Sequence, residues 1–213
     1  MVCVFHLSDM ILSHSNRFIF IKTRKTAGTS VQYALSQHCS GTDIVTEIEP
    51  ERPGYCARNG NGWHTHATAA SVKRRIPANI WDGYFKFAFE RNPWDKVVSF
   101  FFWNFRTVLP SVSEQEKRKR FRIWLHRNTD KVRDYSAYTI GGDLAVDFLG
   151  QYEYLNRDYR HVLSRVGLPY ESLPKLKGGA RKDKAYRKYF TKSLKDLVGD
   201  VYADEIRLLG YTF

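Results

Sequence analysis

The chain has 213 residues, of which 34 are Lys or Arg and 22 are Asp or Glu, so its formal net charge at pH 7 is +12. This length suits one α/β core, and we therefore predict a single domain over residues 1–213 whose positive charge favours anionic ligands. The sequence has no helix-turn-helix, zinc-finger or RNP pattern and no run near the ~18 apolar residues of a membrane span, which argues against a nucleic-acid partner and an integral membrane protein.

The first predicted unit is a strand, a polar turn and a helix. The apolar run Phe18–Ile21 predicts a buried strand, and apolar residues at positions 31, 34 and 35 predict a helix over residues 29–37. A glycine, a lysine and three hydroxyls lie between them, and free amides at a helix start favour an anion. The predicted anion-binding residues are Lys25, Thr26, Ala27, Gly28, Thr29 and Ser30.

Two other interpretations of this turn are open from its residues alone. A lone segment of this kind is equally typical of an ordinary strand–turn–helix with hydroxyl caps. A nucleoside-triphosphate P-loop requires Gly-x4-Gly-Lys-Ser/Thr, with its lysine after the glycines. Because Lys25 precedes Gly28, the chain does not match that pattern.

The second predicted unit repeats the arrangement. Residues 85–90 alternate as a strand, and Asn92 followed by Pro93 is a strong signal for the start of a helix. Arg91 lies where the strand ends and could bind a phosphate through two nitrogens, while Ser99 falls within the helix and could donate to the same phosphate. Two such units predict a ligand with phosphates at both ends.

In this order and spacing, the motifs resemble the sulfotransferase family, in particular the carbohydrate branch that includes heparan and dermatan 2-O-sulfotransferases and many bacterial members. The matching segments are Lys25-Thr-Ala-Gly-Thr-Ser30, Arg91-Asn-Pro with Ser99, residues 146–155 and residues 210–213. The resemblance implies that the donor is 3′-phosphoadenosine 5′-phosphosulfate (PAPS), with its 5′-phosphosulfate on the first motif and its 3′-phosphate on the second. Alternating strands and helices agree with the implied fold, a mostly parallel central sheet flanked by helices.

The resemblance also implies a catalytic base in the segment 62–68. His66 matches the family's base, and His64 matches a neighbouring histidine that supports the site. Histidine suits this role because its ordinary pKa is near neutral. Lys25 is the implied stabiliser of the leaving phosphate, and no metal is expected, although His64 and His66 with Cys56 remain an alternative zinc site.

Three residues beside the motifs depart from the usual family pattern. Arg24 replaces a proline before the loop lysine, Glu90 replaces a valine before Arg91, and Lys96 stands where arginine is common. The first two lie beside the predicted donor site, so they bear on how the donor is held.

Other segments are predicted to be scaffold or substrate-facing surface. Residues 42–62 are predicted to form a loop near the acceptor, and Ser113 with Glu116 to cap a helix carrying the basic run 117–120. The basic segment 175–184 is either a solvated linker or a loop that closes on the donor, in which case Lys177 and Arg181 are predicted clamps. A strand over residues 146–149 and helices over residues 155–166 and 194–201 complete the prediction.

The resulting interpretation is a PAPS-dependent sulfotransferase that acts on a hydroxyl acceptor, expected to be a saccharide. A nucleotide kinase and a non-catalytic relative that binds acidic glycans remain alternatives. Three cysteines without disulfide spacing and an N-terminus without a signal-peptide pattern lead us to expect a cytoplasmic, bacterial protein.

Overall fold

The computed structural model describes residues 10–48, 51–63, 67–176 and 185–213. Within these residues the strands, in chain order, are β1 (Met10–Ser13), β2 (Phe18–Ile21), β3 (Ile44–Val45), β4 (Phe85–Glu90), β5 (Thr139–Ile140), β6 (Asp143–Leu144) and β7 (Phe148–Gln151). The helices are α1 (Gly28–Ser36), α2 (Ala69–Arg75), α3 (Ala78–Gly83), α4 (Pro93–Asn104), α5 (Glu114–Asn128), α6 (Tyr135–Tyr138), α7 (Leu155–Arg165), α8 (Lys192–Val201) and α9 (Ala203–Leu209).

A five-stranded sheet in the order β3-β1-β2-β4-β7 forms the centre of the molecule. Strand β4 pairs in parallel with β2 on one side and with β7 on the other, whereas β1 is antiparallel to both β2 and β3. All strands of this sheet except β1 therefore run in one direction. The prediction of a mostly parallel sheet flanked by helices is confirmed.

Alternating side chains of the strands supply two hydrophobic cores, one on each face of the sheet. Phe18 and Phe20 pack with Phe87 and Phe89 on the face covered by α1 and α7. Ile19, Ile21 and Ala88 pack on the face covered by α2 and the segment around Tyr138. The alternation follows from the two-residue period of a strand.

A third core lies among helices rather than on the sheet. Aromatic and aliphatic side chains of α4, α5 and α8 form it, including Phe101, Phe121 and Val198. Helix α4 begins just after β4 and contributes more buried residues to this cluster than any other element, so the same helix joins the sheet to the helical layer.

Most predicted elements are present, with small shifts at their ends. Strand β2 and helix α1 agree with prediction within one residue, and α4 begins at Pro93 with Asn92 accepting a hydrogen bond from the Asp95 amide. The strand predicted over residues 146–149 instead spans Phe148–Gln151. Asp147, just before it, contacts Lys86 of β4 through both its carboxylate and its backbone N–H. The sequence analysis does not predict strands β1, β3, β5 and β6 or helices α2, α3, α6 and α9.

Candidate functional site

The two predicted motifs meet at one edge of the sheet. Since β2 and β4 are parallel neighbours, the segments that follow them leave the sheet at the same edge. The Thr23 hydroxyl donates to the Phe89 carbonyl, and Arg91 Nη1 donates to the Lys25 carbonyl at 3.0 Å. The structure therefore places the first motif in direct contact with the second.

The loop before α1 has a strained backbone. Lys25 and Ala27 have φ of 65° and 62°, a left-handed conformation that non-glycine residues rarely adopt. Such strain is concentrated at functional sites because the surrounding structure must hold it in place. A left-handed residue beside a helical one also turns successive N–H groups toward one side, which is a known way to bind an anion.

Ala27 is the N-cap of α1, and no side chain in the described part of the chain caps this helix. The first amides of α1 are thus not used by a capping side chain, and the helix dipole favours negative charge beside them. Gly28 follows with very little space around it, since a Cβ there would lie 2.5 Å from Lys22 Cγ. Lys22 lies across the glycine and donates from Nζ to Gln32 Oε1 at 3.0 Å.

The loop hydroxyls do not all face the same way. Thr26 is 1% exposed, and its hydroxyl lies 3.0 Å from Thr23 Oγ1 and donates to the Thr23 carbonyl, so it holds the loop to the end of β2. Ser30 Oγ accepts from the Leu176 amide at 3.5 Å, and Thr29 is buried in the first turn of α1. The predicted contact of these residues with a ligand stays a prediction.

The Lys25 ammonium lies over an aromatic ring. Its Nζ is 4.6 Å from the centre of the Trp103 ring, and the same ring also carries the Arg106 guanidinium at 4.5 Å. Trp103 follows Ser99 by four residues on α4, so the two side chains share a face of that helix. The contact with this indole orients the Lys25 side chain toward α4.

Arg91 is 7% exposed and has several partners. Its Nε and Nη2 donate to Asp95 Oδ2 at 3.0 and 2.6 Å, and its Nη1 donates to Ser99 Oγ at 3.1 Å as well as to the Lys25 carbonyl. The Tyr152 ring stacks on the guanidinium at 4.0 Å. The structure brings Arg91 and Ser99 together, but Asp95 occupies the two-nitrogen edge that the sequence suggested for a phosphate.

Behind the loop, the three residues that depart from the family pattern join one buried cluster. Lys96 Nζ lies 2.7 Å from Glu90 Oε1 and 2.9 Å from Asp134 Oδ2, and Arg24 pairs with the other oxygen of Asp134 at 2.7 Å. Burial raises the pKa of Glu90 to about 7 despite its ion pair with Lys96. Although burial opposes the charged form of Lys96, Asp134 and Glu90 hold the pKa of that amine above its ordinary value.

Several predicted residues fall on segments outside the described ranges. These are His64 and His66, predicted as supporting histidine and base, and Lys177 and Arg181, predicted as clamps. The residues that flank the histidines are buried, with Trp63 9% and Ala67 6% exposed. The alternative zinc site with Cys56 is untested, because both of its histidines lie outside the described residues. Within those residues there is no group of three or more metal-binding side chains.

Sequence reasoning missed four side chains of this site. Asp95 and Trp103 each lie four residues from a predicted site residue on or beside α4, and that spacing could have identified them. Tyr152 follows β7, whose carboxyl end lies at the same edge of the sheet as Arg91. Asp134 is 110 residues from Arg24, and no local pattern points to that contact.

The fold and this site define an α/β protein with a strained loop and a second cationic motif at the carboxyl edge of a mostly parallel sheet. A family model described as "Sulfotransferase family" matches residues 8–212. The chain therefore belongs to the sulfotransferase family. An uncharacterized protein from Archaeoglobus fulgidus is 35% identical over 122 residues, which cover 55% of this chain and 94% of that relative. No solved structure matches this chain significantly.

None of the helices in the described ranges is long and apolar enough to cross a membrane.

Proposed function

We propose that this protein transfers a sulfuryl group from PAPS to a hydroxyl of a saccharide acceptor and releases adenosine 3′,5′-bisphosphate. The observation that carries the proposal is the 3.0 Å hydrogen bond from Arg91 Nη1 to the Lys25 carbonyl, which joins the two motifs predicted to bind anions at one edge of the sheet. A donor with phosphate groups at both ends of one nucleoside suits two neighbouring cationic motifs. The saccharide acceptor, the cytoplasmic location and the bacterial origin are further parts of this proposal.

The residues present fit such a donor. A Cβ at position 28 would lie 2.5 Å from Lys22 Cγ, so glycine is what allows the Lys22 side chain to lie against the backbone at the helix start. Lys25 supplies positive charge in the loop that leads into α1, whose N-terminus favours an anion. Ser99 accepts from Arg91, which leaves the hydroxyl hydrogen of Ser99 to donate to an anion.

Each residue then has a chemical task. PAPS supplies a sulfuryl group whose leaving group is a phosphate oxygen. His66 would remove the proton from the acceptor hydroxyl, with His64 supporting it, and Lys25 with the loop amides would stabilise the negative charge that develops on the departing oxygen. Ser99 would bind the 3′-phosphate together with the Arg91 N–H groups that do not face Asp95, assisted by Lys177 and Arg181. These contacts would orient the donor for in-line transfer.

A transfer assay with radiolabelled PAPS and a panel of saccharides tests the proposal. We expect His66→Ala to abolish transfer while adenosine 3′,5′-bisphosphate still binds with an unchanged dissociation constant. His126→Ala, at an exposed position on α5, is the matched control and should keep full activity. Near-normal turnover in the His66 variant would remove this residue from the mechanism.

Nucleotide preference separates the proposal from the two alternatives. A thermal shift with adenosine 3′,5′-bisphosphate but not with ADP and magnesium would exclude a nucleotide kinase. Binding of an acidic polysaccharide without turnover of any acceptor would instead indicate a non-catalytic relative.

A further inference from the structure

The acidic side chain of Asp134 makes close contacts with the anion-binding loop although it lies far from that loop in the sequence. Its Oδ2 accepts from the Arg24 backbone N–H at 2.8 Å, and its Oδ1 accepts from Arg24 Nε at 2.7 Å. The Arg24 guanidinium also donates to the carbonyls of Lys131 and Arg133. The turn that carries Asp134 thus holds both the main chain and the side chain of the residue before Lys25.

These contacts of Asp134 with Arg24 lie next to the strained residue of the loop. Lys25 follows Arg24 directly and has the left-handed φ of 65°. A conformation of this kind persists only where neighbouring contacts determine it. Because the Arg24 amide is hydrogen-bonded to a carboxylate, the peptide that leads into Lys25 has a fixed orientation.

The same cluster also contacts the second motif. Asp134 shares Lys96 with Glu90, and Glu90 Oε1 accepts from the Arg91 backbone N–H at 2.7 Å. Lys96 and Glu90 are each 1% exposed, and Asp134 is 8% exposed, so solvent does not screen these contacts strongly. Asp134 and Lys96 therefore lie between the backbone that precedes Lys25 and the backbone of Arg91.

We propose that Asp134 is a positioning residue, which through Arg24 and Lys96 holds the loop of residues 23–30 in its anion-binding conformation. This inference rests on the proposed function for its consequence, which is donor affinity. Buried ion pairs add little net stability, yet they can specify one conformation among several. The expected effect is therefore on donor binding more than on turnover at saturating donor.

Three variants test the proposal. Asp134→Asn removes the charge at nearly constant volume, and Arg24→Ala removes the partner, whose side chain is 30% exposed and which is thus the safer variant for folding. Arg133→Ala is the matched control, since Arg133 is the residue next to Asp134 in the sequence. This substitution breaks the ion pairs of Arg133 with Asp204 and Glu205 on α9, and none of these partners belongs to the loop.

The first measurement needs no ligand. We expect Asp134→Asn and Arg24→Ala to speed hydrogen exchange in a peptide covering residues 23–30, and Arg133→Ala to leave that peptide unchanged while exchange in α9 rises. If Arg24→Ala leaves exchange of the loop as in the native chain, or if Arg133→Ala speeds it equally, the positioning role is wrong. This result stands whether or not the protein is a sulfotransferase.

The second measurement concerns the donor. In Asp134→Asn and Arg24→Ala, the dissociation constant of adenosine 3′,5′-bisphosphate and the KM for PAPS should rise about tenfold or more, while kcat changes much less. The reason is that each variant loses a charge-assisted hydrogen bond that holds the loop. The effects of the two substitutions should be less than additive in the double variant, since the contact between Arg24 Nε and Asp134 Oδ1 is disturbed in both single variants. A fall in kcat with unchanged KM would overturn the proposal, whereas absence of nucleotide binding by the native chain would count against the proposed function alone.

Discussion

At the scale of single residues, Glu90 shows how a departure from the family pattern is accommodated. A carboxylate at the end of a central strand is costly to bury, and Glu90 is compensated by the Lys96 ammonium, the Arg91 amide and the Tyr138 hydroxyl. Arg24, Glu90 and Lys96 looked like three separate departures in the sequence. The structure joins them through Asp134, so they form one electrostatic unit.

The pH dependence of stability should reveal the buried Glu90. Its pKa is about 7 in the folded protein against an ordinary 4.5, so between these values the folded chain keeps a proton that the unfolded chain has released. The stability contributed by this group is complete below pH 4.5 and is lost as pH rises through 7. Burial opposes ionisation of Asp134, but Lys96 and Arg24 lower the pKa of this carboxyl below its ordinary value. Its effect on the free energy of unfolding is therefore expected at a more acidic pH than that of Glu90.

We therefore predict that the stability of the Glu90→Gln variant decreases less with rising pH than the stability of the native chain. The free energy of unfolding in urea, measured for both proteins at pH 5 and pH 8, should fall more for the native chain than for the variant. Parallel pH profiles would show that Glu90 does not titrate in this range.

At the scale of secondary structure, the predictable elements are those with a local signal. Asn92 and Pro93 mark the start of α4, and Ser113 caps α5 by accepting from the Glu116 amide, as the sequence predicts. Strand β3 and helices α2 and α3 are too short for a hydrophobic period to be visible. Strand β1 is buried at all four positions, so it shows no alternation and its pairing with β2 depends on contacts distant in sequence.

The carboxylate of Asp43 forms several hydrogen bonds beside the antiparallel strand β1. Asp43 accepts from the amides of His14, Ser15 and Ser40 and from the hydroxyls of Ser13 and Ser15, so it links the turn between β1 and β2 to the segment after α1. Burial opposes ionisation, but these hydrogen bonds lower the pKa of Asp43 to about 2.

We predict that Asp43→Asn lowers the free energy of unfolding by about 1–3 kcal/mol at pH 7, because amide donors lose a charged acceptor. The carboxylate stabilises the fold above its ordinary pKa of 3.8, and this contribution is lost as pH falls toward 2, so the difference between the two proteins should narrow below pH 4. Urea unfolding at several pH values measures this. Asp82→Asn, at an exposed position on α3, is the control, and an equal loss in both variants would contradict the account.

At the scale of the whole molecule, the fold class could be predicted because strands and helices alternate along the chain. The packing of the last segments could not, since it depends on contacts across about half the sequence. Asn92 Nδ2 donates to the Thr212 carbonyl at 2.8 Å, and Trp94 Nε1 donates to the Lys195 carbonyl at 2.9 Å. The C-terminal helices are thereby fastened to the first turn of α4, beside Arg91.

This arrangement bears on the predicted single domain over residues 1–213. Helix α4 starts at the site on the sheet and carries Phe101, which is 1% exposed, into the helical core. The Phe101 ring contacts Phe121 and Trp124 of α5 at centroid distances of 5.4 and 5.5 Å. Since one helix packs against both the sheet and the helical core, a loss of packing in the helical core should also destabilise the sheet.

We predict that Phe101→Ala lowers the free energy of unfolding by about 3–5 kcal/mol, and that the loss occurs in one cooperative transition. Urea unfolding followed by far-ultraviolet circular dichroism and by tryptophan fluorescence should give the same midpoint for the native chain and, at lower urea, for the variant. Phe105→Ala is the control, because Phe105 is 36% exposed and should cost much less. If the variant shows two separate transitions, with the fluorescence change first, the helical core unfolds independently of the sheet and the single-domain prediction is wrong.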